Sequence, residues 1–140
     1  MNNNDTNNNR NRILLVDDEP DITMAFSLGL EDSGFKVHTC NDPIEALSGF
    51  KNGLYDLALI DYKMPNMNGS ELYREIRKID DKVKVCFITA FEVYYEELKK
   101  IFQHNEEDVK CFISKPIDID ELIIRIKAEL SSQPDQNAAS

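Results

Sequence analysis

Five short runs of branched and aromatic residues recur along the chain, at Arg12 to Val16, Lys36 to Cys40, Asp56 to Ile60, Val83 to Ile88 and Val109 to Ser114. Runs of this length and composition predict strands, and the longer stretches between them carry apolar residues at helical spacing. In the first of these, Ile22, Ala25, Phe26 and Gly29 share one face, with Pro20 in the first turn, where a missing N–H costs nothing. The second helix is predicted to open at Asp42, with Pro43 next and Glu45 placed for a capping box, and to bury Leu47 and Phe50. The third carries Leu72, Ile76 and Ile79 after a loop glycine, Gly69. A less regular fourth helical stretch, Val93 to Phe102, would turn Leu98, Ile101 and Phe102 inward. The last opens with Asp118 and Glu121 as another capping box, carries Leu122, Ile126 and Leu130, and should end near Leu130.

Strands joined in sequence by helices have to run parallel, and their crossovers are overwhelmingly right-handed. The expected fold is therefore doubly wound α/β, a five-stranded parallel sheet covered by helices on both faces, over residues 12–130. Residues 1–11, rich in asparagine, and residues 131–140 lack apolar periodicity and are expected to be flexible ends.

Composition narrows the class. A chain of 140 residues makes one ordinary domain and leaves little room for a separate output domain. With 41% apolar and 30% charged residues it can bury a core, which excludes wholesale disorder. The net charge of −10 opposes the phosphate backbone, so direct nucleic-acid binding is not expected. No apolar run exceeds four residues, which excludes a membrane-spanning helix, and the first dozen residues lack the apolar stretch of a secretory signal. We expect a cytoplasmic protein. Cys40, Cys86 and Cys111 are widely spaced in apolar segments without a C-x-x-C pair and are expected to be buried free thiols.

Candidate chemistry lies where the strands end. In a parallel sheet all carboxyl ends share one edge, and ligands gather there near the point where strand order reverses. Asp17 and Asp18 follow the first run, Asp61 the third, Thr89 and Ala90 the fourth, Lys115 and Pro116 the fifth. Three clustered carboxylates cannot all stay ionised without a cation or a raised pKa. Mg²⁺ suits such a site because it prefers oxygen ligands and keeps waters while meeting a phosphate. His38 and His104 sit elsewhere, so zinc is not indicated. A phosphoryl group at this edge would find a metal, Lys115 and the Thr89 hydroxyl around its oxygens, and Asp61 is the best nucleophile for an acyl phosphate.

The segments "ILLVDDEPDI", "DLALIDYKMPNMNG", "FITA" and "FISKPI" stand in the order found in the receiver domain of two-component response regulators, and the chain resembles that family from about Arg12 to Leu130. The resemblance implies a flavodoxin-like sheet of order 2-1-3-4-5 with Asp61 as phosphoacceptor. It implies a sensor histidine kinase or histidine phosphotransfer protein as donor and a downstream protein as target. Asp18, Asp61 and the backbone carbonyl of Lys63 would ligate Mg²⁺, with Asp17 helping through water. Lys115 and the backbone of Ala90 would bind the phosphoryl oxygens, and the Lys115–Pro116 peptide would be cis. Thr89 and an aromatic, here Phe112, would form the switch. Lacking a hydroxyl, Phe112 is expected to populate its inward rotamer even without phosphate. Lys63 and Phe91 occupy the family's rate-tuning positions.

Two departures stand out. The stretch from Thr89 to Lys115 is longer than is usual in the family, and Asn105, Glu106, Glu107 and Asp108 replace a small glycine-containing turn. A homodimer through the fourth helical stretch, the fifth strand and the last helix fits the resemblance, but the altered turn changes that face. Other readings are an aspartyl phosphatase of the haloacid-dehalogenase type, whose paired acids Asp17, Asp18 and Glu19 do not supply, and a flavodoxin, whose phosphate these acids would repel. A phosphorylation-independent interaction scaffold of the same fold stays open.

Overall fold

Branched and aromatic residues alternate between two buried sheet faces along five short strands, and the computed structural model describes residues 11–90 and 111–132 of the chain. The elements are β1 (Arg12–Val16), α1 (Pro20–Asp32), β2 (Lys36–Cys40), α2 (Pro43–Ser48), β3 (Leu57–Asp61), α3 (Gly69–Ile79), β4 (Lys84–Thr89), β5 (Cys111–Ser114) and α4 (Ile119–Ser131). All four pairings are parallel, as the βαβ rhythm requires, and the strand order is β2-β1-β3-β4-β5, the order that the family resemblance implies. The reversal of strand order falls between β1 and β3, which aims their carboxyl ends at one crevice.

Leu14, Val16, Ala58, Ile60, Val85, Phe87 and Phe112 face α2 and α3, where Ala46, Leu72, Tyr73 and Ile76 complete the layer. On the other face Ile13, Leu15, Leu57, Leu59, Ile88 and Ile113 pack with Leu30 of α1 and Leu122, Ile126 and Leu130 of α4. β3 is buried throughout, which is why its sequence is nearly continuous in apolar residues. The amino edge is tied by Arg12, whose guanidinium Nε and Nη2 donate to the two Asp56 carboxylate oxygens at 3.0 Å each.

Several expectations need correction. Asp61 and Thr89 are the last residues of their strands rather than the first after them, because Asp61 pairs with Ile88 and Thr89 with Ser114. The inner face of α1 is turned by one residue: Thr23 and Leu30 are buried while Ala25 is exposed. A polar Thr23 is accepted inside because its hydroxyl donates to the Pro20 carbonyl and accepts from Asn41 Nδ2. Gly29 faces α4, and a Cβ there would overlap Ile119.

Leu47 is only partly buried, and Phe50, buried as expected, lies beyond the end of α2. In α3 the inner residues are Leu72, Tyr73 and Ile76, whereas Ile79 is exposed, since the last turn runs past the sheet. The complete capping box belongs to Asn68 and Glu71 of α3, while Asp42 and Asp118 each accept a single backbone N–H. The cysteines are not all free: Cys86 and Cys111 form a disulfide, since adjacent strands bring their Cα atoms to 4.6 Å, and Cys40 is a buried free thiol. The expected helix Val93 to Phe102 and the acidic stretch at Asn105 lie outside the described residues.

The turn after β3 depends on a close approach. Gly69 N–H donates to the Tyr62 carbonyl at 2.7 Å, and a Cβ on Gly69 would stand 2.8 Å from Tyr62 Cα and 3.2 Å from the Asp61 carbonyl oxygen. Backbone cannot retreat as a side chain can. Gly69→Ala is therefore expected to lower stability by about 1–3 kcal/mol in urea unfolding, and an unchanged midpoint would show that the turn has slack.

Candidate active site

The site is built from the carboxyl ends of β1, β3, β4 and β5. Asp17 follows β1 and is fixed from three sides. Its N–H donates to the Cys40 carbonyl at 3.1 Å, its Oδ1 accepts from Glu19 N–H at 3.0 Å, and its Oδ2 accepts from Lys115 Nζ at 3.0 Å. Asn41 Nδ2 also donates to the Asp17 carbonyl at 2.8 Å and thereby joins the end of β2 to the site. Asp18, next along, is half-buried. Asp61 is buried at the end of β3 with Oδ1 3.6 Å from Lys115 Nζ. Lys115 thus bridges two carboxylates from the far side of the crevice, and its N–H is anchored on the Thr89 carbonyl at 2.7 Å. The Lys115–Pro116 peptide is cis.

Burial dominates the electrostatics of Asp61. Its pKa is pushed up to about 7 by desolvation first and by the Asp17 charge second, with Lys115 pulling the other way and Asp18 adding to the rise. For Lys115, burial disfavours the ammonium, but the charges of Asp61 and Asp17 and the hydrogen bond to Asp17 outweigh it and hold the group above its usual range. The site therefore carries more negative charge than its one ammonium offsets.

Oxygen atoms of Asp17, Asp18 and Asp61, one from each carboxylate, all lie within 4.8 Å of one another. This is an all-oxygen donor set with uncompensated negative charge, and it fits a hard divalent cation such as Mg²⁺. The Thr89 side chain adds a second open valence. Its hydroxyl is buried and has no hydrogen-bond partner among the described residues. A buried hydroxyl left in this way forfeits about 1–3 kcal/mol, which an oxygen-rich ligand would restore.

The remaining expected residues are distributed around this centre. Lys63 and Ala90 are exposed at its rim, and Phe91 lies outside the described residues. Phe112 is 6% exposed and stacks on Phe87, ring centroids 6.0 Å apart, so it occupies an inward position. Sequence reasoning missed Asn41. An asparagine after a strand reads as an ordinary turn residue, and only its two hydrogen bonds, to Asp17 and Thr23, distinguish it.

Comparison with known proteins agrees with this geometry. The family model of the response regulator receiver domain matches residues 13–127. The chain is 34% identical over 126 residues to response regulator ArlR of Staphylococcus saprophyticus, an alignment covering 90% of this chain and 55% of that protein. It is 38% identical over 131 residues to the transcriptional regulatory protein CpxR homolog of Haemophilus influenzae, covering 92% and 55% respectively. The chain thus spans about half the length of the curated relatives it matches. Among solved structures, a CheY-like response regulator receiver domain protein from Methanospirillum hungatei JF-1 superposes with a TM-score of 0.77 at 30% identity, covering 89% of this chain and 97% of that one. The non-phosphorylated HemR receiver domain of Leptospira biflexa gives 0.76 at 28% identity, covering 87% and 95%. Sequence, sheet order and the acidic crevice agree, and the chain belongs to the response regulator receiver domain family of two-component systems.

Proposed function

We propose that residues 12–130 form a phosphoaccepting switch in which Asp61 takes a phosphoryl group from a histidine kinase or a histidine phosphotransfer protein. The observation that carries this reading is a buried carboxylate, Asp61, held 3.6 Å from the Lys115 ammonium that it shares with Asp17, beside a buried hydroxyl that has no partner among the described residues. An Asp61 oxygen attacks phosphorus, the phosphorus–nitrogen bond of the donor breaks, and an acyl phosphate forms. Lys115 binds the incoming oxygens, with its charge no longer shared with a free Asp61 carboxylate. The Thr89 hydroxyl and the Ala90 N–H supply further donors. Mg²⁺ held by Asp17, Asp18, Asp61 and the Lys63 carbonyl would contribute positive charge to the same oxygens. Water later attacks phosphorus and returns Asp61 as the free carboxylate, so the protein switches state without turning over a separate substrate.

The protein is assigned to the cytoplasm, where such donors act, and its acidic surface leaves nucleic acid to other parties. Its target is a protein that reads the surface around β5 and α4, and a homodimer through that surface is one form the output takes. A scaffold that never accepts phosphate is disfavoured, since it would have no use for so costly an arrangement of buried charge.

Incubation with acetyl phosphate and Mg²⁺ should add one phosphate mass to the wild type and none to Asp61→Asn; equal mass gain, or none in either, would remove Asp61 from this role. The pH response has a definite sign. The folded pKa of about 7 lies above the ordinary 3.8, so between those values the folded state holds a proton that the unfolded chain has lost. Metal-free stability should therefore fall as pH rises from about 4 to 7. Asp61→Asn should remove that fall and stabilise the metal-free protein at pH 8 by roughly 1–4 kcal/mol. Thermal melts with and without Mg²⁺ check this, the ion raising Tm more at pH 8 than at pH 6. Phe91 and Lys63 are assigned to limiting and holding the attacking water, so Phe91→Ala should shorten the phosphoryl lifetime several-fold in a decay assay.

A further inference from the structure

A covalent link lies away from the phosphoryl site. Cys86 of β4 and Cys111 of β5 are register partners, disulfide-bonded and buried on the α4 side of the sheet with Ile88 and Ile113. The next register pair, Phe87 and Phe112, stacks on the opposite face. Ile88 and Ile113 pair next, Thr89 and Ser114 end the ladder, and Lys115 N–H donates to the Thr89 carbonyl. The strands carrying Thr89 and Lys115 are thus joined at four successive pairs, the first of them covalently.

The surroundings of the sulfurs are not purely apolar. Arg125 and Glu129, both half-buried and one turn apart on α4, stand over them. Arg125 Nη2 lies 3.9 Å from Cys111 Sγ and donates to the Phe112 carbonyl at 2.9 Å. A Glu129 carboxylate oxygen lies within 4.8 Å of both sulfurs. The Arg125 guanidinium favours the thiolate that attacks or leaves in exchange, against the opposing Glu129 carboxylate and the burial of both sulfurs. In the cytoplasm, to which the protein is assigned above, disulfides are seldom structural and usually redox-sensing or catalytic.

We propose that Cys86 and Cys111 are a reversible dithiol–disulfide couple that exchanges with low-molecular-weight disulfides and thiols, and that its oxidation fixes β5 against β4 and speeds loading of the phosphoryl site. The second half rests on the phosphoacceptor reading. Both cysteines are buried, so oxidation proceeds through local opening of the edge strand β5: the exposed Cys111 thiolate attacks a small disulfide such as glutathione disulfide, releasing one thiol and leaving a mixed disulfide. The other cysteine then displaces the second thiol. Two S–H bonds are lost from the protein, two small thiols carry off the protons, and two electrons pass to the small disulfide. Loading is faster in the oxidised form because the staple holds Phe112 on Phe87 and Lys115 near Asp61 before phosphate arrives.

The test equilibrates the full chain in graded ratios of reduced to oxidised glutathione, then quenches, unfolds and alkylates it with N-ethylmaleimide. With Cys40 free in both states, the oxidised protein should take one adduct and the reduced protein three, interconverting in both directions. Three adducts at every ratio would overturn the couple, as would one adduct after dithiothreitol treatment of the folded protein. Zinc retained by the reduced protein in native mass spectrometry would also overturn it, making Cys86, Cys111 and Glu129 a metal site instead. Initial rates of acetyl phosphate labelling should be several-fold higher in the oxidised form, and equal rates would defeat the regulatory half. Cys111→Ala, on the edge strand, should label at the reduced rate at every ratio; a rate still set by glutathione would count against the proposal. If neither form of the wild type takes phosphate, the phosphoacceptor reading and the coupling fail together, while the adduct counts still decide the couple.

Discussion

Lys115 meeting Asp17 and Asp61 across the crevice is the contact on which the site depends. The three residues come from the ends of three different strands, and without the ammonium the two carboxylates would face each other in a buried setting that penalises both charges. The lysine can only partly offset them, and that shortfall gives the crevice its character. It is an anionic cavity with a cation already on one side, suited to a second cation and to the oxygens of a transferable group.

The rest of the fold holds these ends in register. β3 is buried on both faces and flanked by β1 and β4, so Asp61 has little freedom to move away from Asp17. Asp17 is held by backbone and side-chain partners from β2, the first turn of α1 and Lys115. The turn beyond Asp61 is closed by the tight passage of Gly69 over Tyr62. Rigid placement matters because acid clustering of this kind relaxes readily if any one strand end is loose.

Much of this was legible in the chain. The βαβ rhythm and the acids at the strand ends follow from periodicity and from segments such as "LALID" and "FISK", because parallel pairing forces those residues to one edge, whereas the strand order came only with the family resemblance. What periodicity could not reveal was compensation. Thr23 is inside because Asn41 and Pro20 satisfy its hydroxyl, a tertiary fact that no helical wheel contains. Cys86 and Cys111 stand far apart in sequence and become neighbours only through the pairing of β4 with β5. Both caps stand at the expected helix starts: Asp118 accepts from the N–H of its expected partner Glu121, whereas Asp42 accepts from Ile44 N–H rather than engaging Glu45.

Thr89 divides its duties between main chain and side chain. Its carbonyl is committed to Lys115 N–H and its backbone to the ladder with β5, whereas its hydroxyl has no hydrogen-bond partner among the described residues. Rotation about a single bond can therefore redirect the oxygen while every strand stays where it is, a local rotor mounted on a static frame. Packed inside, such a part turns more slowly than an exposed side chain, yet its reorientation leaves the register of the sheet intact.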